Sequence, residues 1–231
     1  GRFPFAHSCD TSMIHSGAID PAWLVTGFLI AGWFYWLALR PVNVFYAEIK
    51  SRWPALLIAA LALIVLWHIR ATILQGLSLH LIGATLCTLV FGRRLALVPL
   101  TTALVLAQTS AAGDWSTLGL NACLLVLWPV ALSQLVAYLV DRLPSNLFVF
   151  IFAGGFFGSA GVVVLTGWLL TLMLWLTQLY PWGPLLEDYA SYWLLVAFSE
   201  AWLTGMLLTV MVVYRPDLVR LFDSARYIDN A

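Results

Sequence analysis

The sequence predicts an all-α polytopic membrane protein with seven transmembrane helices. Hydrophobic residues make up 62% of the 231 residues and charged residues only 10%, whereas soluble domains carry about 25% charged residues. Several apolar runs reach the roughly 20 residues that a helix needs to cross the hydrocarbon core of a bilayer. We therefore expect an extracytoplasmic segment at residues 1–20, a transmembrane domain at 21–214 and a cytoplasmic tail at 215–231 of an inner (plasma) membrane protein surrounded by lipid.

Apolar runs between polar breaks define the seven predicted spans. The third run is short for a full crossing, so we expect it to end in a mouth or hollow of the protein. The sixth run has 33 residues, which is about 50 Å of helix and indicates tilt, a break at Gly154-Gly155 or Gly167, or an extension beyond the bilayer. The predicted spans are 21–39, 54–70, 78–91, 95–111, 118–140, 147–179 and 190–214.

The basic residues predict the orientation of the chain. Short loops that remain in the cytoplasm are enriched in Lys and Arg, and alternate breaks hold nine of the eleven basic residues. The intervening breaks hold Arg70 with the acidic residues Asp114, Glu187 and Asp188. The amino terminus is therefore expected outside and the carboxyl terminus inside. The nine residues are Arg40, Lys50, Arg52, Arg93, Arg94, Arg142, Arg215, Arg220 and Arg226.

Several classes of function are excluded by the composition. The net charge is zero and no basic stripe is present, which argues against a nucleic-acid partner. The chain has no Gly-rich phosphate loop with its lysine, so it does not hydrolyse ATP itself. Gly158-Ser159-Ala160-Gly161 invites comparison with intramembrane serine proteases, but the predicted spans place no histidine near that serine. We expect that the chain is not an enzyme.

All four histidines fall on the predicted outer face. His7 and His15 precede the first span, His68 ends the second and His80 opens the third. A charged imidazole is costly to place near hydrocarbon, so it is expected to face the protein interior or a wet cavity, where it is a candidate for function. His80, which lies in the Gly-flanked stretch from Gly76 to Ala84, is the first candidate.

The outward polar residues provide ligands of the type that a divalent transition metal ion selects. Imidazole nitrogens from His80, His15 and His68, with oxygen ligands from Asp114 and Asn121, form the candidate metal set. Each alternative is structural: His68 is typical of an interfacial residue with its polar tip at the headgroups, and Asp114 is a good helix cap.

The amino-terminal segment suggests a separate chelate. Met13 is the expected initiator, because the organised sequence begins there and residues 1–12 lack a signal-peptide pattern. A free amine at Met13, two backbone nitrogens and the His15 imidazole can close around a square-planar ion, a geometry that suits nickel or copper. With residues ahead of Met13, this chelate requires processing.

Two further features predict contacts between helices. Glu200 lies about ten residues into the seventh span, so its carboxylate should face the bundle, either hydrogen-bonded to another helix, which we favour, or acting in a proton or ion relay. Gly27 and Ala31 are small residues at four-residue spacing, which lets helix backbones approach closely. We favour internal packing over docking to a partner helix for this pair.

Five stretches between residues 76 and 218 form an ordered set of motifs. They are Gly76-Leu77-Ser78-Leu79-His80-Leu81-Ile82-Gly83-Ala84, Gly113-Asp114, Leu118-Gly119-Leu120-Asn121, Glu200-Ala201-Trp202-Leu203-Thr204 and Arg215-Pro216-Asp217-Leu218. In that order they resemble the cobalt and nickel permeases of energy-coupling-factor transporters, the CbiM/NikM type. A proteobacterial branch of predicted membrane proteins is more similar still, in Leu143–Phe152, Tyr180-Pro181-Trp182 and Tyr214-Arg215-Pro216-Asp217.

The resemblance implies a substrate-binding permease subunit that captures nickel or cobalt at its outer face, through an amino-terminal Met-His segment and His80. It also implies partners, a transmembrane coupling protein and ATPase subunits, and no permanently bound cofactor. This chain departs from the family pattern at Met13-Ile14-His15-Ser16-Gly17, where the family begins Met-His. The alternative function is a non-transporting scaffold or assembly factor for a metalloenzyme.

Overall fold

The computed structural model describes residues 19–69, 71–74, 77–110, 114–223 and 227. Within this part of the chain, six helices are long and apolar enough to cross a membrane, which confirms a polytopic membrane protein of the all-α class. Their bounds are α1 Pro21–Leu39, α2 Val42–His68, α3 Ala84–Ser110, α4 Trp115–Val140, α5 Leu147–Leu176 and α6 Trp182–Tyr214.

Helix α1 has the predicted bounds, but α2 begins twelve residues before the predicted start at 54. The sequence reading took the charged stretch before Pro54 for a break. In the structure this stretch is helical and Pro54 lies inside α2. The charges are tolerated because they lie at the end of the bundle, where Glu48 pairs with Arg220 (3.0 Å).

The third predicted span, 78–91, is not a helix of membrane-crossing length. Its first residues belong to an antiparallel hairpin of β1 (Ala71–Leu74) and β2 (Leu77–Leu79), with Ala71 opposite Leu79. Residues 80–83 are neither helix nor strand. The α3 helix then runs to Gly92, whose φ of 78° and ψ of 162° interrupt it. Residues 84–91 alone amount to about 12 Å of helix, so the structure has six long helices in its described part where seven were predicted.

The long fifth helix is continuous. The α5 helix ends at Leu176, three residues before the predicted end, and it contains a π-helical stretch, Phe150–Phe157, that includes Gly154 and Gly155. Gly167 lies inside regular α-helix. The predicted break at Gly154-Gly155 or Gly167 is therefore wrong, and the backbone instead shows a local π-helical irregularity at Gly154-Gly155.

Helices α1 and α4 cross through a backbone contact between glycines. A Cβ added at Gly27 would lie 2.8 Å from the Leu120 nitrogen, and one added at Gly119 would lie 2.6 Å from the Phe28 nitrogen. Small residues let backbones approach to this distance. The contact confirms internal packing as the role of Gly27.

The four predicted basic breaks meet at one end of the bundle. Each is joined to another by a side chain that reaches across helices, so their common location is confirmed. The joining contacts are Arg94 Nε to the Ala38 carbonyl (2.7 Å), Arg94 to the Arg40 carbonyl (2.8 Å), Arg52 to the Leu218 carbonyl (3.1 Å), Arg220 to Glu48 (3.0 Å) and Tyr227 to Asp141 (3.1 Å).

Candidate functional site

The segment from His80 to Gly83, between the hairpin and α3, is held by a carboxylate from the last long helix. Glu200 of α6 is 1% exposed. Its Oε2 accepts a hydrogen bond from the Ile82 amide (2.8 Å), and its Oε1 accepts one from the Gly83 amide (2.6 Å). Amides at the start of a helix have no partner within the helix and favour a negative group. Glu200 therefore faces the bundle, as its depth in the span predicted, but its partners are backbone amides of the non-helical segment before α3 and not another helix.

Gly83 is required by both conformation and space. Its φ is 72°, in the region that glycine adopts without steric cost. A Cβ at this position would lie 2.5 Å from Leu63 Cδ2 of α2. Any other residue at this position would be strained by the positive φ and would require the Leu63 side chain to move.

His80 is buried with a defined tautomer. The residue is 7% exposed, and its ring packs against the Trp67 indole with ring centroids 4.7 Å apart. His80 Nδ1 lies 3.0 Å from the Leu81 carbonyl. Because a carbonyl only accepts, Nδ1 carries the proton, and in the neutral ring the lone pair is on Nε2. Histidines that bind metal ions usually make such a bond through their other nitrogen.

Trp67 supports the same segment from α2. Its indole is fully buried, and its Nε1 donates to the Ile82 carbonyl (3.2 Å). Trp67 was not predicted, because its neighbour His68 was the candidate residue at the end of this helix. The position of Trp67 on the buried face of α2 could have indicated a packing role. Its hydrogen-bond partner, the Ile82 carbonyl 15 residues away, could not be predicted.

Asp114 and Asn121 belong to a buried polar cluster at the start of α4. The Asp114 carboxylate accepts from the Ser116 amide (2.9 Å), so it caps the helix as predicted. The Thr117 hydroxyl accepts from Gln108 Nε2 (3.2 Å) and Asn121 Nδ2 (3.3 Å). Gln108, at the end of α3, and Thr117 were not in the predicted set, and the cluster links α3 to α4.

The other two predicted histidines are not placed beside His80 by the structure. His68 is exposed at the end of α2, and its Nδ1 donates to the Ile64 carbonyl (2.6 Å) within the same helix. His15 lies outside the described residues. Within the described ranges, no group of three or more His, Cys, Asp or Glu side chains is arranged to hold a metal ion.

The site offers ligation chemistry and no nucleophile. It combines an imidazole, a buried carboxylate and backbone carbonyls, which are ligand types for a divalent ion. Ser159, the serine considered for hydrolysis, is fully buried, and its hydroxyl donates to the Phe156 carbonyl of its own helix (3.0 Å). Its hydroxyl therefore has a structural partner.

Comparisons with known proteins agree with this fold. Two solved structures share it: a truncated transition metal transporter (TM-score 0.71, 20% identity, 87% of this chain and 99% of that chain) and a transition metal transporter (TM-score 0.70, 21% identity, 86% of this chain and 92% of that chain). No curated protein matches the chain.

A family model described as the cobalt uptake substrate-specific transmembrane region matches residues 14–218. This range covers all six long helices, the hairpin and the segment that carries His80. The match supports a multi-pass membrane component of a transport system and not an enzyme. The chain belongs to the CbiM family of cobalt uptake substrate-specific transmembrane regions.

Proposed function

We propose that this chain is the substrate-binding permease subunit of a nickel or cobalt uptake system, and that His80 captures the ion on the outward side. The observation that carries the proposal is the bond from His80 Nδ1 to the Leu81 carbonyl (3.0 Å). That bond directs the lone pair of a buried imidazole to Nε2, the atom with which the ring would bind the ion. Release inward depends on a transmembrane coupling protein and ATPase subunits, because the chain has no phosphate-binding loop.

His15 is the proposed second ligand. Ile19 is buried and lines a small cavity together with Leu120, the residue before Asn121. Four residues span at most about 14 Å, so the distance along the chain from Ile19 keeps His15 within reach of the start of α4. Asn121 and Asp114 support the site from α4, while the exposed His68 is proposed to take no part.

The chain is proposed to cross the membrane seven times. The third crossing consists of the hairpin, residues 80–83 and the short helical part 84–91, followed by the return at Gly92. The collection of the basic breaks at one end of the bundle supports this topology, with that end in the cytoplasm and the amino terminus outside.

Calorimetry on the purified full chain with NiCl2 and CoCl2 tests the proposal. We expect stoichiometric binding with release of protons, because the ligand nitrogens must be unprotonated. His80→Ala should weaken binding by more than the roughly 10–100-fold that loss of an outer-shell partner costs. His68→Ala should leave the affinity unchanged.

Two results would contradict the proposal. Wild-type protein that binds neither ion would favour the non-transporting scaffold or assembly factor. Equal metal accumulation in cells that express the wild type and His80→Ala would remove His80 from the transport route.

A further inference from the structure

We propose that Glu200 is a positioning residue for metal capture: its carboxylate holds the segment His80–Gly83 in the conformation that presents the imidazole to the ion. The inference rests on the proposed function and deepens it. It assigns a role in the site to α6, which is separated from His80 by more than a hundred residues of chain.

The first step is that residues 80–83 depend on partners from other elements. They belong to neither helix nor strand, so their backbone lacks the hydrogen bonds of a regular ladder. Buried amides without partners are costly. Glu200 supplies acceptors to two consecutive amides, Ile82 (2.8 Å) and Gly83 (2.6 Å).

The second step is that this contact fixes the peptide units next to His80. Ile82 is held on both sides, since its amide donates to Glu200 and its carbonyl accepts from Trp67 Nε1 (3.2 Å). The same Trp67 ring packs on the imidazole. Of these two side chains, Glu200 and Trp67, only Trp67 would still hold the segment if the carboxylate were lost.

The third step is that the geometry requires a carboxylate. An ionised carboxylate accepts with both oxygens, whereas a glutamine has one oxygen and would direct its NH2 group at an amide that also donates. Among the described residues, the ion pairs are Arg215 with Asp217 and Arg220 with Glu48, so Glu200 has no cationic partner in that set.

Glu200→Gln in the full-length protein, reconstituted in lipid nanodiscs, tests the inference with two measurements. Hydrogen exchange of the metal-free protein should be at least tenfold faster at Ile82 and Gly83 in the variant. Titration with CoCl2 should show an affinity about 10–100-fold weaker, the usual cost of losing a group that orients a metal ligand. Glu48→Gln is the matched control, because Glu48 is a carboxylate at the basic end, bonded to Arg220, and should change neither readout.

The outcomes separate this inference from the proposed function. Unchanged exchange at Ile82 and Gly83 would overturn the inference whatever the metal does. Faster exchange with an unchanged Co2+ affinity would show a structural role only, and would also overturn it. A wild-type chain that binds no Co2+ would overturn the proposed function, while the exchange data would still decide whether Glu200 holds the segment. If Glu200→Gln does not fold, Glu200→Asp, which keeps the charge but is one methylene shorter, takes its place.

Discussion

Thr117 shows how one hydroxyl can join two helices. Its oxygen accepts from Gln108 of α3 and Asn121 of α4, and it donates to the Asp114 carbonyl (2.8 Å). The sequence pattern predicted none of these three hydrogen bonds. Asp114 and Asn121 were selected as candidate metal ligands, and Gln108 was not selected. Hydrogen bonds in a water-poor interior are strong when complete and costly when broken.

Thr117→Val should therefore destabilise the protein. The substitution keeps the shape but removes the acceptor that Gln108 and Asn121 share. Gln108 Nε2 retains its bond to the Asp114 carbonyl (2.6 Å), so we expect a cost of about 1–3 kcal/mol, mainly from the Asn121 amide. Thermal unfolding in detergent measures the change. Thr102→Val is the control, because Thr102 is exposed and its hydroxyl donates to the Val98 carbonyl of its own helix. Equal melting temperatures for the two variants would contradict the role of Thr117.

Asp217 provides a residue whose titration can be followed outside the membrane. Hydrogen bonds from the Arg215 guanidinium (both 3.1 Å) lower the pKa of Asp217 below its usual range. Since the folded state has the lower pKa, the pair stabilises the fold above the usual pKa of Asp, and this contribution is lost as the pH falls through the lowered value.

Arg215→Ala should raise the pKa of Asp217 towards its ordinary value. The pair is more than 60% exposed on both sides, so the shift should diminish as salt is added. Carboxyl carbon shifts in a pH titration by NMR give the measurement. A pKa that is the same in the variant and the wild type would show that the guanidinium is not its cause.

At the scale of elements, α1 and α4 pack as closely as two backbones allow. Gly27 was predicted to permit a close helix contact, but its partner, Gly119, could be identified only from the crossing of the two helices. The Cys123 thiol of α4 adds a hydrogen bond to the Gly27 carbonyl (3.3 Å). The contact places the start of α4, with Asn121, against α1.

Gly27→Ala should separate these helices. The added methyl would meet Leu120 backbone atoms at 2.8 and 2.9 Å, and overpacking of this kind costs about 1–3 kcal/mol. Gly32→Ala is a matched control in the same helix, because nothing lies within 4 Å of its Cβ position. We expect Gly27→Ala to lower the melting temperature and Gly32→Ala to leave it unchanged. A larger decrease for Gly32→Ala than for Gly27→Ala would refute the packing argument.

The first part of α3 is anchored at both ends by α6 and the residues after it. Glu200 holds the amides before it, and the Arg220 and Leu221 amides donate to the Val90 (2.9 Å) and Leu89 (3.1 Å) carbonyls at its other end. These carbonyls lie just before Gly92, where the helix is interrupted. The short helical part thus has its terminal backbone groups satisfied by distant parts of the chain.

At the scale of the whole molecule, the distribution of charge supports the proposed orientation. The basic breaks converge at one end, and the turn between α5 and α6, with Glu187 and Asp188 just after it, carries no Lys or Arg. Because basic short loops are retained in the cytoplasm, the basic end should face inward. Orientation is a property of the whole set of loops, since no single loop determines it.

Labelling of single cysteines in intact cells tests this orientation. In a variant without its native cysteines, Gln178→Cys should react with a membrane-impermeant maleimide added outside, and Lys50→Cys should react only after the cells are opened. Both positions are exposed. Labelling of Lys50→Cys in intact cells would reverse the proposed topology.

The sequence by itself determined the membrane class, the helical fold, the bounds of α1, the common end of the basic breaks and the family. Each follows from local properties, namely apolar length, charge and motif. It also selected His80 and Glu200, because ionisable groups in an apolar run are conspicuous. Hydropathy could not resolve the third span. A run of apolar residues has the same mean hydropathy whether it forms one helix or a hairpin, an irregular segment and a short helix.

Only the tertiary structure decided how His80 and Glu200 are related. Their link passes through the Ile82 and Gly83 amides, 118 and 117 residues from the carboxylate, and no local pattern encodes a hydrogen bond between backbone and a side chain so distant in sequence. The bond of His80 Nδ1 to the carbonyl of the next residue, Leu81, depends instead on the local backbone conformation of the irregular segment, which the sequence pattern did not predict. Side-chain chemistry is readable from the residues, whereas its geometry depends on helices that meet only in the folded bundle.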